Sequence, residues 1–306
     1  MASLQNDRLI ERFDPQVMSL LHTLDLKARY LVEGFLDGMH RSPFHGISVE
    51  FSEYRDYQPG DDLRHLDWQL YARSNRLCIK KYTQETNVRV YVVIDSSGSM
   101  RYRGSQAWGS KLEVSKTLAV ALTSMMLRQN DAVGLLTQQE TSDTATFIRP
   151  SQKQSQFNTI LQQLQSLSAT GSPRLTELLQ HMIRLIHRRS IVLFFSDLQE
   201  ESEGIAQAFQ QLKFLGHECM IFQVLDRDEL EFPFAETAVF RDMENGNRRL
   251  VDPSSARARY LERFGAFMAE QRDLFHSLEM AHCVLRTDSD PWEALTVFLK
   301  ERRRLM

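Results

Sequence analysis

The residues best suited to chemistry in this chain are Asp95-Ser96-Ser97-Gly98-Ser99, which set one carboxylate and two hydroxyls at alternate positions of a short turn. Magnesium takes oxygen ligands in near-octahedral array at ~2.0–2.1 Å and usually keeps several waters. A second carboxylate, Asp197, ends the apolar run from Ser190 to Ser196 just as Asp95 ends the run from Val88 to Ile94. Two carboxylates and the hydroxyls of Ser97 and Ser99 would hold Mg²⁺, or Mn²⁺, without cancelling its Lewis acidity. A coordination place would remain for an incoming carboxylate. Gly98 permits a tight turn between the serines. Asp and Ser are also favoured helix caps, so by type alone Asp95 and Ser97 could do no more than start the helix that follows. Position argues for the cation. In open α/β sheets ligands collect beyond the carboxyl ends of the strands, at the switch point. If the strands before Asp95 and Asp197 are neighbours, both carboxylates open into one crevice.

The elements that must position these groups follow from periodicity. Leu9, Phe13, Val17, Leu20, Leu21, Leu24, Leu31 and Phe35 recur at three- and four-residue steps, which predicts helix from about 8 to 40. Residues 41–87 change character, with Gly46, Pro59-Gly60 and alternation from Ile47 to Phe51, and read as a small β-rich module. From residue 88 strands and helices alternate. Strands are expected at 88–94, 132–137, 190–196, 219–225 and 282–286, with an edge strand at 144–148. Helices are expected from about 112 to 126 and at 154–167, 175–187, 204–215, 254–279 and 291–303. Asn245-Gly246, a favoured type I′ pair, predicts a hairpin within 236–251. Such alternation implies a doubly wound, mostly parallel α/β sheet covered on both faces. The chain thus divides into 1–87, a helix plus the β-rich module, and 88–306, the α/β domain with a hairpin insertion.

Composition narrows the partners. A hydrophobic fraction of 42% and a formal charge of −3 describe a globular protein without the basic field of a nucleic-acid binder. Cys78, Cys219 and Cys283 are odd in number and far apart, which suggests neither a zinc site nor a disulfide framework and fits a reducing cytoplasm. The N-terminus lacks the charged and apolar segments of a signal peptide, and no run reaches the ~18–20 apolar residues of a spanning helix. The basic tail Lys300-Glu301-Arg302-Arg303-Arg304 reads as a solvated helix end.

The Asp95–Ser99 loop resembles the metal-ion-dependent adhesion site of von Willebrand factor A domains, in which D-x-S-x-S is joined by a distant Thr and a distant Asp. The Asp matches Asp197 in Phe194-Phe195-Ser196-Asp197. Thr176 best matches the Thr that opens a helix, with Thr170 as the fallback. A second segment is longer. Phe51-Ser52-Glu53-Tyr54-Arg55-Asp56-Tyr57-Gln58-Pro59-Gly60-Asp61-Asp62-Leu63-Arg64-His65-Leu66-Asp67-Trp68, followed by Ala72-Arg73, is similar to the signature of a large bacterial family of unknown function. Its members carry an A-like domain and are commonly encoded beside MoxR-type AAA+ ATPases. Many have two N-terminal membrane spans, so this chain resembles the soluble branch. Read without the family, the charges from Arg55 to Arg73 form an ion-rich cluster with Tyr54, Tyr57 and Trp68, which either holds irregular loops together or offers the ATPase a second contact. His65 has no partner histidine and so makes no metal site on its own.

Other chemistries fit less well. Gly104–Lys111 nearly spells a phosphate loop, but the final Ser-Lys pair is reversed and no strand immediately precedes it. No G-x-S-x-G elbow surrounds Ser97. A magnesium-dependent hydrolase acting through Asp95 and Asp197 is the alternative, although no general base stands near the loop. The resemblance therefore implies a von Willebrand factor A-like, Rossmann-like fold in a cytoplasmic, non-enzymatic adaptor. Its expected ligands are Asp95, Ser97, Ser99, Thr176 and Asp197 around Mg²⁺ or Mn²⁺. Its expected partners are a MoxR-type ATPase and a client protein that could be membrane-associated, in the assembly or maturation of a complex.

Overall fold

A computed structural model describes residues 18, 21–41, 54–56, 71, 78–80, 88–138, 145–171, 174–200 and 202–305. Much of the expected N-terminal helix and most of the 41–87 module, with the charges from Asp61 to Arg73, lie outside them. Within the described part, α1 (Leu24–Arg41) precedes a short antiparallel pair, β1 (Tyr54–Asp56) and β2 (Cys78–Lys80). The alternating region then runs β3 (Arg89–Ile94), α2 (Lys111–Arg128), β4 (Ala132–Thr137), β5 (Thr146–Ser151), α3 (Ser155–Ser166), α4 (Leu175–Leu185), β6 (Ile191–Ser196), α5 (Ser202–Phe214) and β7 (Glu218–Leu225). It continues through α6 (Arg227–Glu231), β8 (Ala238–Arg241), β9 (Arg248–Val251), α7 (Pro253–Ser277), β10 (Ala281–Arg286) and α8 (Trp292–Leu305).

Six strands form one sheet in the order β10-β7-β6-β3-β4-β5, parallel except for β5 at the edge. The fold is thus mixed α/β and doubly wound, as the alternation predicts. Read from β3, the order reverses between β3 and β6, which makes that junction the switch point. Strand β6 is buried at every position and β3 at all but its first, which is why both read as continuous apolar runs rather than as alternating ones. Val90, Val92 and Ile94 face a core shared with α2, α3 and α8. Tyr91 and Val93 face the other core, with α4, α5 and Phe275 of α7. Ala28, Leu31 and Val32 of α1 join the first core, and the Trp292 indole donates to the Leu31 carbonyl at 3.2 Å. No helix among the described residues is long and apolar enough to cross a membrane.

Two local departures have physical causes. The edge strand runs from Thr146 past the expected 148 to Ser151 and includes Pro150, which an edge strand tolerates, while the expected start at 144 lies outside the described residues. Pro150 has no N–H to give, and next to it the Gln156 side-chain amide donates to the Val133 carbonyl at 2.8 Å. The hairpin stands where Asn245-Gly246 suggests, but its tip is not a two-residue type I′ turn. Asp242 accepts from the Glu244 N–H at 2.9 Å and the Asn245 N–H at 3.3 Å. That wraps residues 242–247 into a longer loop, in which Gly246 has positive φ and Asn245 does not.

On the β7–β10 side a buried polar string approaches the sheet's carboxyl edge. The Gln223 amide donates to the Asp197 carbonyl at 3.3 Å, and its oxygen meets His282 Nε2 at 2.9 Å. Burial, with Arg272 adding to it, pushes the His282 pKa down to about 4. An unfolded His282 takes up its proton near 6.5, so the stability held by the neutral ring is complete above that pH and lost as pH falls through about 4. His282→Gln is therefore expected to flatten the acid limb of a stability–pH curve measured by urea unfolding. Parallel curves for the two proteins would refute this.

Candidate metal centre

The parallel pairing of β3 with β6, Ile94 opposite Phe195, sets the residues after the two strands side by side. The Asp95 N–H donates to the Phe195 carbonyl at 2.9 Å. Both Asp95 and Asp197 are buried. One Asp95 oxygen accepts the Ser97 N–H at 2.8 Å and the other the Ser196 hydroxyl at 2.7 Å. Ser97 does not cap a helix: it precedes the 3₁₀ turn Gly98–Arg101 without a side-chain capping bond, and its hydroxyl lies 3.1 Å from that of Ser99. Ser99 in turn hydrogen-bonds Asp197. Helix α2 is capped elsewhere, by Ser110 in a reciprocal box with Glu113. Asp95, Ser97, Ser99 and Asp197 thus lie together at the ends of β3 and β6.

Gly98 has a different reason from the one its place in the loop suggests. Its φ is not in the left-handed region. A side chain there would come within 2.4 Å of the Met243 carbonyl and 3.1 Å of the Gly171 carbonyl. The glycine is needed because two other backbones cross the loop.

The threonines separate. The Thr170 N–H donates to the Ser96 carbonyl at 2.8 Å, and Gly171 accepts from the Gly98 N–H at 3.0 Å, so this segment lies against the loop. Thr176 opens α4 with its hydroxyl toward Gly204 of α5. Its N–H and that of Leu175 point to the Glu200 carboxylate, at 3.3 and 2.5 Å. Glu200 thereby caps α4, satisfying N–H groups that the helix leaves open.

Sequence reasoning missed Lys111, which is fully buried. Its ammonium lies 2.7 Å from Asp197 and 2.8 Å from Glu229. A lysine in the first turn of a helix opposes the positive end of the dipole, and that misplacement was the available signal. Burial alone would lower its pKa, but Asp197 and Glu229 outweigh burial and hold it above the ordinary value. Burial likewise works to raise Asp197, yet Lys111 keeps it below the usual carboxylate range. Asp95 has no such help. Burial first, and the charge of Asp197 second, push it up to about 6 against the hydrogen bonds from Ser97 and Ser196.

These donors fit a hard divalent cation. All are oxygens, and the Asp95 charge meets only neutral hydrogen-bond donors. Among the described residues no group of three or more His, Cys, Asp or Glu side chains is arranged to hold a metal. The set is therefore one of two carboxylates with hydroxyls, unlike the nitrogen- and sulfur-rich sites that zinc prefers.

Residues 53–273 match the family described as "Protein of unknown function DUF58". An uncharacterized protein of Mycobacterium tuberculosis is 26% identical over 298 residues, covering 95% of this chain and 91% of that protein. One from Mycobacterium bovis matches to the same extent. Similar solved structures include the conserved hypothetical protein BatB from Bacteroides thetaiotaomicron, at 17% identity and TM-score 0.43, covering 71% of this chain and 99% of that one. The SpRpn10 VWA domain is similar at 13% identity and TM-score 0.36, covering 45% of this chain and 76% of that one.

Proposed function

Since the chain belongs to the DUF58 family of proteins of unknown function, we propose that it is a non-enzymatic adaptor that takes up Mg²⁺ or Mn²⁺ at its switch point and binds a partner's carboxylate there. The observation that carries this reading is the buried pair of Asp95 and Asp197 around the hydroxyls of Ser97 and Ser99, with a protein cation balancing only one of the two. A bound cation would supply a positive centre with an open coordination place. The chain's own residues supply the rigid frame: two buried strand ends fix the carboxylates, and Thr170 and Gly171 brace the loop. Thr176, at the start of α4, is the fifth oxygen of this reading, with Thr170, whose backbone N–H holds Ser96, as the alternative.

A hydrolase would need a base beside the loop. Lys111 is held protonated between two carboxylates, so it offers charge rather than a proton acceptor. The resemblance of Phe51–Trp68 and Ala72-Arg73 to that signature supports a MoxR-type AAA+ ATPase as the partner, with the work done in the cytoplasm on a complex being assembled or matured.

Interferometry of this protein against a MoxR-type ATPase, in Mg²⁺ and in EDTA, tests the reading. Wild type is expected to bind in Mg²⁺ alone, and Ser97→Ala to dissociate faster, since a desolvated metal–carboxylate contact acts mainly on the dissociation rate. Binding indifferent to EDTA, or a metal-dependent hydrolysis lost in Asp197→Asn, would overturn it.

A further inference from the structure

The tip of the hairpin formed by β8 and β9 lies across the Asp95–Ser99 loop. The Arg101 guanidinium donates to the Met243 carbonyl at 2.8 Å, and that carbonyl is the one seated on Gly98. One face of the hairpin is packed. Phe240 of β8 stacks on Phe232 at 5.7 Å and meets Phe234 edge-on at 5.0 Å, while Phe232 lies 4.7 Å from Tyr260 of α7. Successive side chains of a strand point to opposite faces, so Val239 and Arg241, on either side of Phe240, point away from this anchor.

Their cross-strand partners are Leu250 and Arg248. Val239 is 59% exposed and Leu250 73%, side by side, so the two form an uncovered apolar step rather than scattered surface residues. Arg241 and Arg248, both exposed, face each other one pair nearer the tip, and neither makes an ion pair among the described residues. Like charges directly opposite one another destabilise a strand pair, and a two-stranded hairpin has little stability to spare. Asp242, next in the chain, is engaged by the Glu244 and Asn245 N–H groups of the tip. Arg101, also exposed, adds a third cation where the tip meets the loop. In a chain of formal charge −3 these arginines are a local basic row, and its repulsion is relieved by anions from outside.

We propose that the outer face of this hairpin is a docking surface for an acidic segment of a partner protein that also carries apolar side chains. Its carboxylates meet Arg101, Arg241 and Arg248, and its apolar groups cover Val239 and Leu250. This rests on the cation-binding reading above and names the kind of partner which that reading leaves open. A stable interface buries about 800 Å² on each side, more than two strand pairs offer. The contact of Met243 with Gly98 makes the hairpin face continuous with the metal loop. The carboxylate that reaches the cation and the acidic segment on the hairpin are then parts of one footprint.

Fluorescence anisotropy on the full chain tests this with labelled peptides of equal length, built from Glu and Leu, from Glu and Ser, or from Lys and Leu, in Mg²⁺ and in EDTA. Wild type is expected to bind the Glu/Leu peptide most tightly and the Lys/Leu peptide least. Arg241→Glu with Arg248→Glu is expected to weaken the Glu/Leu peptide by at least about tenfold, since each exposed pair is worth a few-fold and reversal turns attraction into repulsion. Val239→Ser with Leu250→Ser is expected to weaken the Glu/Leu peptide and leave the Glu/Ser peptide unchanged. Arg248→Glu alone separates docking from folding. It replaces a repulsive cross-strand pair by an attractive one, so it should weaken the peptide while melting no lower than wild type. If every variant binds as wild type does while EDTA weakens binding, the docking face fails and the cation reading stands. If the variants lose the peptide and EDTA has no effect, the docking face stands and the cation reading fails. A Lys/Leu peptide held as tightly as the Glu/Leu one, or no peptide held at all, overturns the proposal.

Discussion

Lys111→Met is expected to lower the stability of the cation-free protein by about 3–5 kcal/mol, the usual cost of removing one partner from a buried ion pair. The lysine is fully buried and joins the end of β6, through Asp197, to α6, through Glu229. Glu229 is itself tied in: its other oxygen accepts the Asp226 N–H at 2.8 Å, and the Gln199 amide shares the oxygen that Lys111 holds. Methionine fills a similar volume, so the loss is electrostatic rather than a cavity. Two carboxylates would be left in a place from which water is largely excluded. Urea unfolding in EDTA measures this, and a variant as stable as wild type would show that Asp197 and Glu229 find other compensation. The same substitution is expected to act oppositely on divalent cations. On the proposed reading, a fixed ammonium beside Asp197 would repel Mg²⁺ and compete with it for that carboxylate. Removing it should tighten Mg²⁺ binding, so the stability gained on adding Mg²⁺ should be larger in Lys111→Met than in wild type.

What the sequence makes legible here follows from burial. Asp95 and Asp197 announce themselves because each interrupts a run that a doubly covered parallel strand must keep apolar, and the alternation of elements places both at one sheet edge. The partnership of Asp197 with Lys111 is not legible in that way. It joins residues 86 positions apart in the chain, and no local preference encodes it. The only local sign is a lysine at a helix start, where the dipole disfavours it. Thr170 and Thr176 could not be separated from sequence for a related reason. Either can open a helix or line a turn, and in the fold Thr170 lies against the loop by its backbone while Thr176 opens α4 beside Gly204. The hairpin was visible from Asn245-Gly246, but where its tip rests was not. Only the crossing of Met243 over Gly98 shows where the tip rests, and Gly98 by itself reads as a turn residue.

Asp95→Asn is expected to invert the stability order between EDTA and Mg²⁺. At neutral pH and without a cation, ionised Asp95 is buried, faces Asp197, and is met only by neutral groups, the Ser97 N–H and hydroxyl and the Ser196 hydroxyl. Asparagine removes the charge and keeps the Ser97 N–H and Ser196 contacts in form. Its oxygen can accept from Ser97, and its NH₂ can donate to the Ser196 oxygen, since a hydroxyl serves either role. The variant is therefore expected to be more stable than wild type in EDTA, as is common where a site holds strain for function. Mg²⁺ at about a hundred times its dissociation constant adds about 2.7 kcal/mol to a protein that binds it. Wild type should gain that increment and the asparagine variant little of it, so wild type should become the more stable in Mg²⁺. Thermal melts of the two proteins in the two buffers are sufficient. If Asp95→Asn is destabilising in EDTA, Asp95 is a structural acceptor whose charge the fold compensates. If Mg²⁺ raises both melting temperatures equally, Asp95 is not a ligand. A crossing of the two pairs of curves requires both that the charge be costly and that a cation remove the cost.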